Sequence, residues 1–261
     1  MTSFLRHASG KIERAVVWFK NDQRVFDNAS LREAEKLCVP ILCVYCFDDR
    51  HFAISPLGMY VCFLNFLPIL VPKSLFDLTV GSKKTGLHRS KFLIESISCL
   101  RSSLRGLGSD LLVAYVRPEL LLEKILNEKS AVIFESELAT EEQRVERAVE
   151  KCAKRTGATV IKIPSQSTMY NRFDLPFDSS LRDLPNTFTD FKNSVERSCE
   201  VRPMDKPLVQ LLHAGRDLPS DVISPVCSFE YLPTDVDLQF PEGAFSLPSS
   251  SCIRARTPYD T

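Results

Sequence analysis

Residues 15–31 read AVVWFKNDQRVFDNASL. The first five are apolar without a break, the pattern of a short strand buried on both faces. Polar and charged residues follow at once: Lys20, Asn21, Asp22 and Arg24. Asn28 then stands where a helix needs an N-cap, with Ser30-x-x-Glu33 at capping-box spacing. Leu31, Ala34, Leu37 and Cys38 make one apolar stripe behind it. A buried strand passing directly into an amphipathic helix is the first half of a βαβ unit.

The same rhythm continues outward. Residues 40–47 (PILCVYCF) form a second buried strand. A helix is expected over about 89–105, with Leu93, Ile97, Leu100 and Leu104 on one face and Gly106 and Gly108 closing it. A third strand over 110–116 and a short helix over 119–126 come next. Residues 131–134 (AVIF) are the fourth strand, and Thr140-x-x-Gln143 is set to cap a helix carrying Val145, Ala148, Val149 and Cys152. Gly157 ends that helix, and 158–163 (ATVIKI) is the fifth strand. Five apolar strands alternating with helices predict an α/β fold, a doubly wound, Rossmann-like, five-stranded parallel sheet in the order 3-2-1-4-5.

Two segments break the rhythm. Residues 53–83 intervene between the second strand and the long helix, where a few residues would suffice, and have no clean period. They are expected to be an insertion outside the core. Residues 198–261 hold eight of the sixteen prolines and almost no helical pattern. That composition suits a largely irregular, linker-like extension lying on something else, and nothing in the chain is left to receive it. Residues 1–14 form a flexible N-terminus, leaving 15–197 as the α/β domain.

Thirty-three basic and thirty-three acidic residues cancel, so the chain as a whole has no pull on nucleic acid or anionic lipid. Any DNA contact must come from a local patch. The first fourteen residues contain no apolar core of a signal peptide, and nine cysteines, an odd count, fit reduced thiols in an intracellular protein. The longest apolar stretch, 59–72, contains Asn65 and two prolines and is too short for a membrane helix. Cys43-x-x-Cys46 has the spacing of a metal or redox pair. Residues three apart on a strand face opposite ways, however, and no second Cys/His pair follows, so no metal is expected.

In a doubly wound sheet the ligand crevice opens at the carboxyl ends of the strands where the winding reverses, here between strands one and four. Asn21, Asp22 and Arg24 follow one; Glu135 and Glu137 follow the other. Together they could hydrogen-bond a polar heterocycle. Alternatively, Asp22 and Arg24 merely pair with each other at the surface. No G-x-G-x-x-G follows the first strand, and no P-loop or G-x-S-x-G elbow occurs. The four histidines, at 7, 51, 88 and 213, are scattered. No catalytic residues are assigned.

The opening stretch, with Trp18, Phe19, Asn21, Asp22, Arg24, Asp27, Asn28 and Leu31, resembles the start of photolyases and cryptochromes. In order come VYCFDDRHF (44–52), KTGLHRSKFLIES (84–96), LRSSLRGLGSDLLV (100–113), ESELATEEQRVERAVE (135–150), STMY (167–170), DLPF (174–177) and LPNTFTDFKNSVE (184–196). The K-T-G, S-T-x-Y and L-P-x-x-F-T-x-F blocks are similar to the cryptochrome DASH branch. Lys20 stands where the family has arginine and Gln23 where it has leucine. About thirty residues separate HF from KTG, where the family uses about ten.

The resemblance implies a blue-light-dependent DNA photolyase or photoreceptor. In such proteins an antenna, often the folate methenyltetrahydrofolate, feeds excitation to FAD, and an electron passes to a pyrimidine dimer. This chain resembles the amino-terminal antenna-binding domain, and 198–261 has no counterpart of the FAD-binding helices. Alone it is expected to be non-catalytic and to bind DNA weakly or not at all. The family glutamate that bonds the folate pterin falls on Glu137, with Asn21 and Asp22 beside it. The alternative is a non-catalytic module on the same fold, self-associating or docking a partner through its exposed face, or binding a small molecule.

Overall fold

The structure, a computed structural model, describes residues 12–53, 83–164, 168–171, 173–178, 180, 182–205, 208–214, 218–219, 221–240 and 245. The elements run β1 (Arg14–Phe19), α1 (Ala29–Lys36), β2 (Ile41–Cys46), α2 (Asp49–Phe52), α3 (Leu87–Gly106), β3 (Leu111–Ala114) and α4 (Pro118–Ile125). They continue with β4 (Ser130–Ser136), α5 (Thr140–Thr156), β5 (Thr159–Pro164), α6 (Phe188–Ser198) and β6 (Cys227–Ser228). The sheet order is β5-β4-β1-β2-β3-β6. Its first five strands are parallel in the expected order, and β6 adds a short antiparallel edge beside β3.

Alternation along the strands feeds two cores. Ala15, Val17 and Phe19 face Leu31 and Ala34 of α1 and Ile97, Leu100 and Leu104 of α3. Val16 and Trp18 face Leu121, Leu122 and Ile125 of α4 and Val149, Cys152 and Ala153 of α5. Cys43 belongs to the first core and Cys46 to the second, so the Cys-x-x-Cys spacing divides across the sheet.

The helix ends follow local chemistry. Asn28 accepts from the Leu31 N–H at 2.9 Å and caps α1. Ser30 is therefore a buried residue inside the first turn and not the cap of a box. The cap of α5 is Ala139, one residue before the expected Thr140, and its side chain offers no acceptor. Gln143 turns back instead, donating to the carbonyls of Glu137 and Leu138. Gly157 closes α5 at φ 76°, the left-handed geometry that glycine adopts without strain.

Of the expected insertion, 53–83, residues 54–82 lie outside the described residues, but its two ends do not. The Lys84 N–H donates to the Ala53 carbonyl at 3.1 Å, and Thr85 Oγ1 donates to the His51 carbonyl at 2.8 Å. The residues on either side of the segment therefore meet.

The described residues of the extension correct the expectation that it has nothing to lie on: they lie on the α/β domain itself. Leu208, Leu211 and Leu238 are buried in the first core, and Val222, Cys227 and Phe229 in the second. Backbone bonds tie it to the sheet, among them Ile41 N–H to Leu212 O and Ala214 N–H to Ile41 O, and to the end of α3 through Leu211 N–H to Leu107 O. Arg101 and Arg105 of α3 donate to the carbonyls of Glu230, Tyr231 and Phe229. Each large apolar side chain buried this way is worth about 1.5–3 kcal/mol relative to exposure. Sequence periodicity misses this because the buried residues recur at no regular interval.

Candidate functional site

β1 and β4 pair in parallel, so their carboxyl ends deliver Lys20-Asn21 and Glu135–Glu137 to one corner. There Asn21 Nδ2 donates to Glu137 Oε1 at 3.0 Å. Two of the three sequence-derived site residues are in contact. The third, Asp22, turns aside: Arg24 Nε donates to it at 2.9 Å, and it also accepts the Arg24 backbone N–H.

Above this corner opens a cleft of about 250 Å³. Trp18, Lys20 and Asn21 form one wall, Tyr45, Asp48 and His51 another, and Arg89 and Phe92 of α3 close it. Glu137 does not line it; it sits one side chain behind, holding Asn21. Asn21, Asp22 and Glu137 together line a second hollow of about 10 Å³, room for about one water. Burial raises the Glu137 carboxyl above its usual value, only partly offset by Lys20 and the Asn21 bond. A partly desolvated carboxylate with a single side-chain donor retains acceptor capacity for an incoming N–H.

Sequence reasoning missed the residue that organises the floor. Glu146 of α5 is fully buried. It receives Lys20 Nζ at 2.6 Å, Lys162 Nζ at 3.0 Å, the Ser136 hydroxyl at 3.4 Å and the Glu137 backbone N–H at 2.7 Å. Burial alone would raise its pKa, but these donors together hold the carboxyl below the usual value. Lys20 in turn stands 5.3 Å from the Trp18 ring centroid and 5.4 Å from that of Phe134. The signal was available: Glu146, Val149 and Ala153 share one helical face, an acid on a buried stripe. Trp18 itself is a core residue, edge-on to Phe134 at 5.2 Å. The far rim carries a second network, in which Arg50 joins Asp48 and Glu119 while Arg117 joins Asp49.

Residues 15–208 match the family model described as DNA photolyase. The chain belongs to the DNA photolyase family. Within that photolyase family it is 38% identical over 208 residues to "Blue-light photoreceptor PHR2" of Arabidopsis thaliana, covering 79% of this chain and 40% of the relative. It is 30% identical over 257 residues to "Cryptochrome DASH, chloroplastic/mitochondrial" of Ostreococcus tauri, covering 92% and 42%. The crystal structure of the Synechocystis sp. PCC6803 cryptochrome superposes with a TM-score of 0.67 at 30% identity, covering 88% of this chain and 41% of that one. The chain therefore spans about two fifths of these relatives. Photolyase-family proteins bind chromophore cofactors, and the photolyase-family motifs HF (51–52) and KTG (84–86), far apart in sequence, meet here through the His51–Thr85 bond. Among the described residues no helix is long and apolar enough to cross a membrane.

Proposed function

We propose that this chain is the antenna domain of a blue-light photolyase or cryptochrome of the DASH type, and that its crevice receives a reduced folate such as methenyltetrahydrofolate. The observation that carries the reading is the Asn21–Glu137 pair behind a partly aromatic cleft at the switch point of the sheet. In this proposal the Glu137 carboxylate accepts N–H donors of the ligand's pterin ring. Asn21, released from Glu137, offers its amide to the ring edge. Trp18 and Phe92 supply apolar contact, and Lys20 and Arg89 favour the anionic tail. At about 250 Å³ the cleft falls just below the range of about 300–1,000 Å³ of enclosing pockets, so the ligand is half-covered.

Excitation held here is of use only if passed on. In this proposal the FAD, its electron donors and the DNA lesion belong to the three fifths of the relatives that this chain does not span. The domain then collects light and positions the antenna, and the chain alone repairs nothing. Titrating methenyltetrahydrofolate into the purified chain and following folate fluorescence tests the reading. Saturable, stoichiometric binding supports it, and fluorescence indistinguishable from free folate at every protein concentration removes it.

A further inference from the structure

The wall of the cleft carries three side chains of the types that give up an electron most readily: Trp18, Tyr45 and Cys46. Electron transfer from such a side chain to a photoexcited ring returns that ring to its ground state and wastes the excitation. Tyr45 and Cys46 are protected by burial. A phenol or a thiol is oxidised easily once deprotonated and far less easily while it keeps its proton. Burial raises the Tyr45 hydroxyl, and burial with Cys227, Asp48 and Glu119 nearby raises the Cys46 thiol, so both stay protonated. Trp18, the sole tryptophan of the chain, has no such protection, because an indole loses an electron without first losing a proton. A charge stands against its ring instead. Lys20 Nζ lies over the indole, 5.3 Å from its centroid, nearly buried and fixed there by Glu146 at 2.6 Å. A cation so placed is attracted to the neutral ring, whereas it repels the radical cation that oxidation leaves. In a site this short of solvent that repulsion is little screened.

We propose that Lys20 protects the excited state of the ligand by making Trp18 hard to oxidise, so that the cleft passes excitation on as energy and does not quench it with an electron. The proposal rests on the antenna reading. The step it suppresses is the transfer of one electron from the indole to the photoexcited heterocycle. That transfer leaves an indole radical cation and a one-electron-reduced ligand, and back transfer restores both ground states with the excitation lost. Methenyltetrahydrofolate is suited to accept the electron, because its methenyl carbon belongs to a delocalised, positively charged amidinium. Lys20 acts on the ligand through Trp18 and is a positioning residue. Its partner Glu146 gains a second role with it, since the ion pair that closes the floor also holds the ammonium against the ring.

The test is the fluorescence lifetime of methenyltetrahydrofolate on the full chain, read with the folate fully bound so that affinity and lifetime separate. In K20Q the lifetime is expected to be at least about twofold shorter than in the parent, because the cation–π contact that favours the neutral indole is gone. Replacing the donor as well, in W18F/K20Q, restores the longer lifetime, which a merely structural role of Lys20 does not explain. K20R, which keeps a cation over the ring, retains the parent lifetime. Should K20Q melt early, K20Q/E146Q removes both charges of the pair, leaves neither stranded, and gives the same shortening. A cooperatively folded K20Q with the parent lifetime overturns the proposal, as does a shortened lifetime that W18F fails to restore; the antenna reading survives either result. Absence of saturable folate binding by the parent removes the antenna reading and this proposal together.

Discussion

Two carboxylates, nine residues apart, stand together behind the same crevice and are treated in opposite ways. Glu146, on the floor, has no exposed surface and four donors, and its pKa is lowered. Glu137, one side chain behind the rim at Asn21, is half-buried with one side-chain donor, and its pKa is raised. A buried charge that is fully paired fixes structure, and removing its partner leaves the other charge stranded. A partly desolvated, underpartnered one instead favours a ligand that brings its own donors. The comparison assigns the floor to the scaffold and the rim to recognition.

Removing the floor carboxylate should produce the largest effect. Glu146→Ala leaves Lys20 nearly buried without a counter-charge, and is expected to lower the unfolding free energy by about 3–5 kcal/mol in urea melts. A loss under about 1 kcal/mol would mean that the floor is not structural. The pH dependence follows from the same assignment. Because the folded pKa of Glu146 is depressed, its contribution is present above the usual value near 4.5 and is lost as pH falls through the folded value. The parent should therefore lose stability below about pH 4.5 more steeply than Glu146→Gln does.

At the rim the sign reverses. The folded pKa of Glu137 is raised, so its ionised form opposes folding at neutral pH. Glu137→Gln in the ligand-free chain is expected to be neutral or stabilising by less than about 1 kcal/mol. A clear destabilisation would move Glu137 into the scaffold with Glu146.

The smallest effect is expected from deleting 54–82. Its ends already meet through the Ala53–Lys84 bond, and closing a loop depends only weakly on its length. Because Thr85 and Arg89 of the cleft wall follow it directly, the deletion also asks whether the rim needs the segment. Retained cooperative unfolding with unchanged folate affinity is the expected outcome, and loss of cooperativity would make the segment part of the fold.

The strand order and the Asn21–Glu137 corner were legible because β1 to β4 are buried and amphipathic helices alternate with them, and topology then dictates where strand ends converge. Residues 208–240 were not legible. Leu208, Leu211, Val222, Phe229 and Leu238 are buried by backbone pairing and by the arginines of α3, and leave no period in the sequence. The helix α6 was missed although Thr187 accepts from the Asp190 N–H at its start, a cap that can be read from sequence. Glu146 passed for one more solvated acid of an amphipathic helix. Its place on the buried stripe with Val149 and Ala153 signalled otherwise, and Lys20 and Lys162 converging on it supply the reason. The cleft wall from His51, Arg89 and Phe92 was hidden because 54–82 separates its parts.

The most direct test is a methenyltetrahydrofolate titration of Glu137→Gln beside the parent, with both proteins shown to melt alike. The carboxylate is the acceptor of a charged hydrogen bond, and such bonds contribute about 1.5–3 kcal/mol. The account predicts affinity about 10- to 150-fold weaker in the variant, with the parent also losing affinity as pH falls toward the raised pKa of Glu137. Equal affinity in parent and variant across that pH range would contradict it.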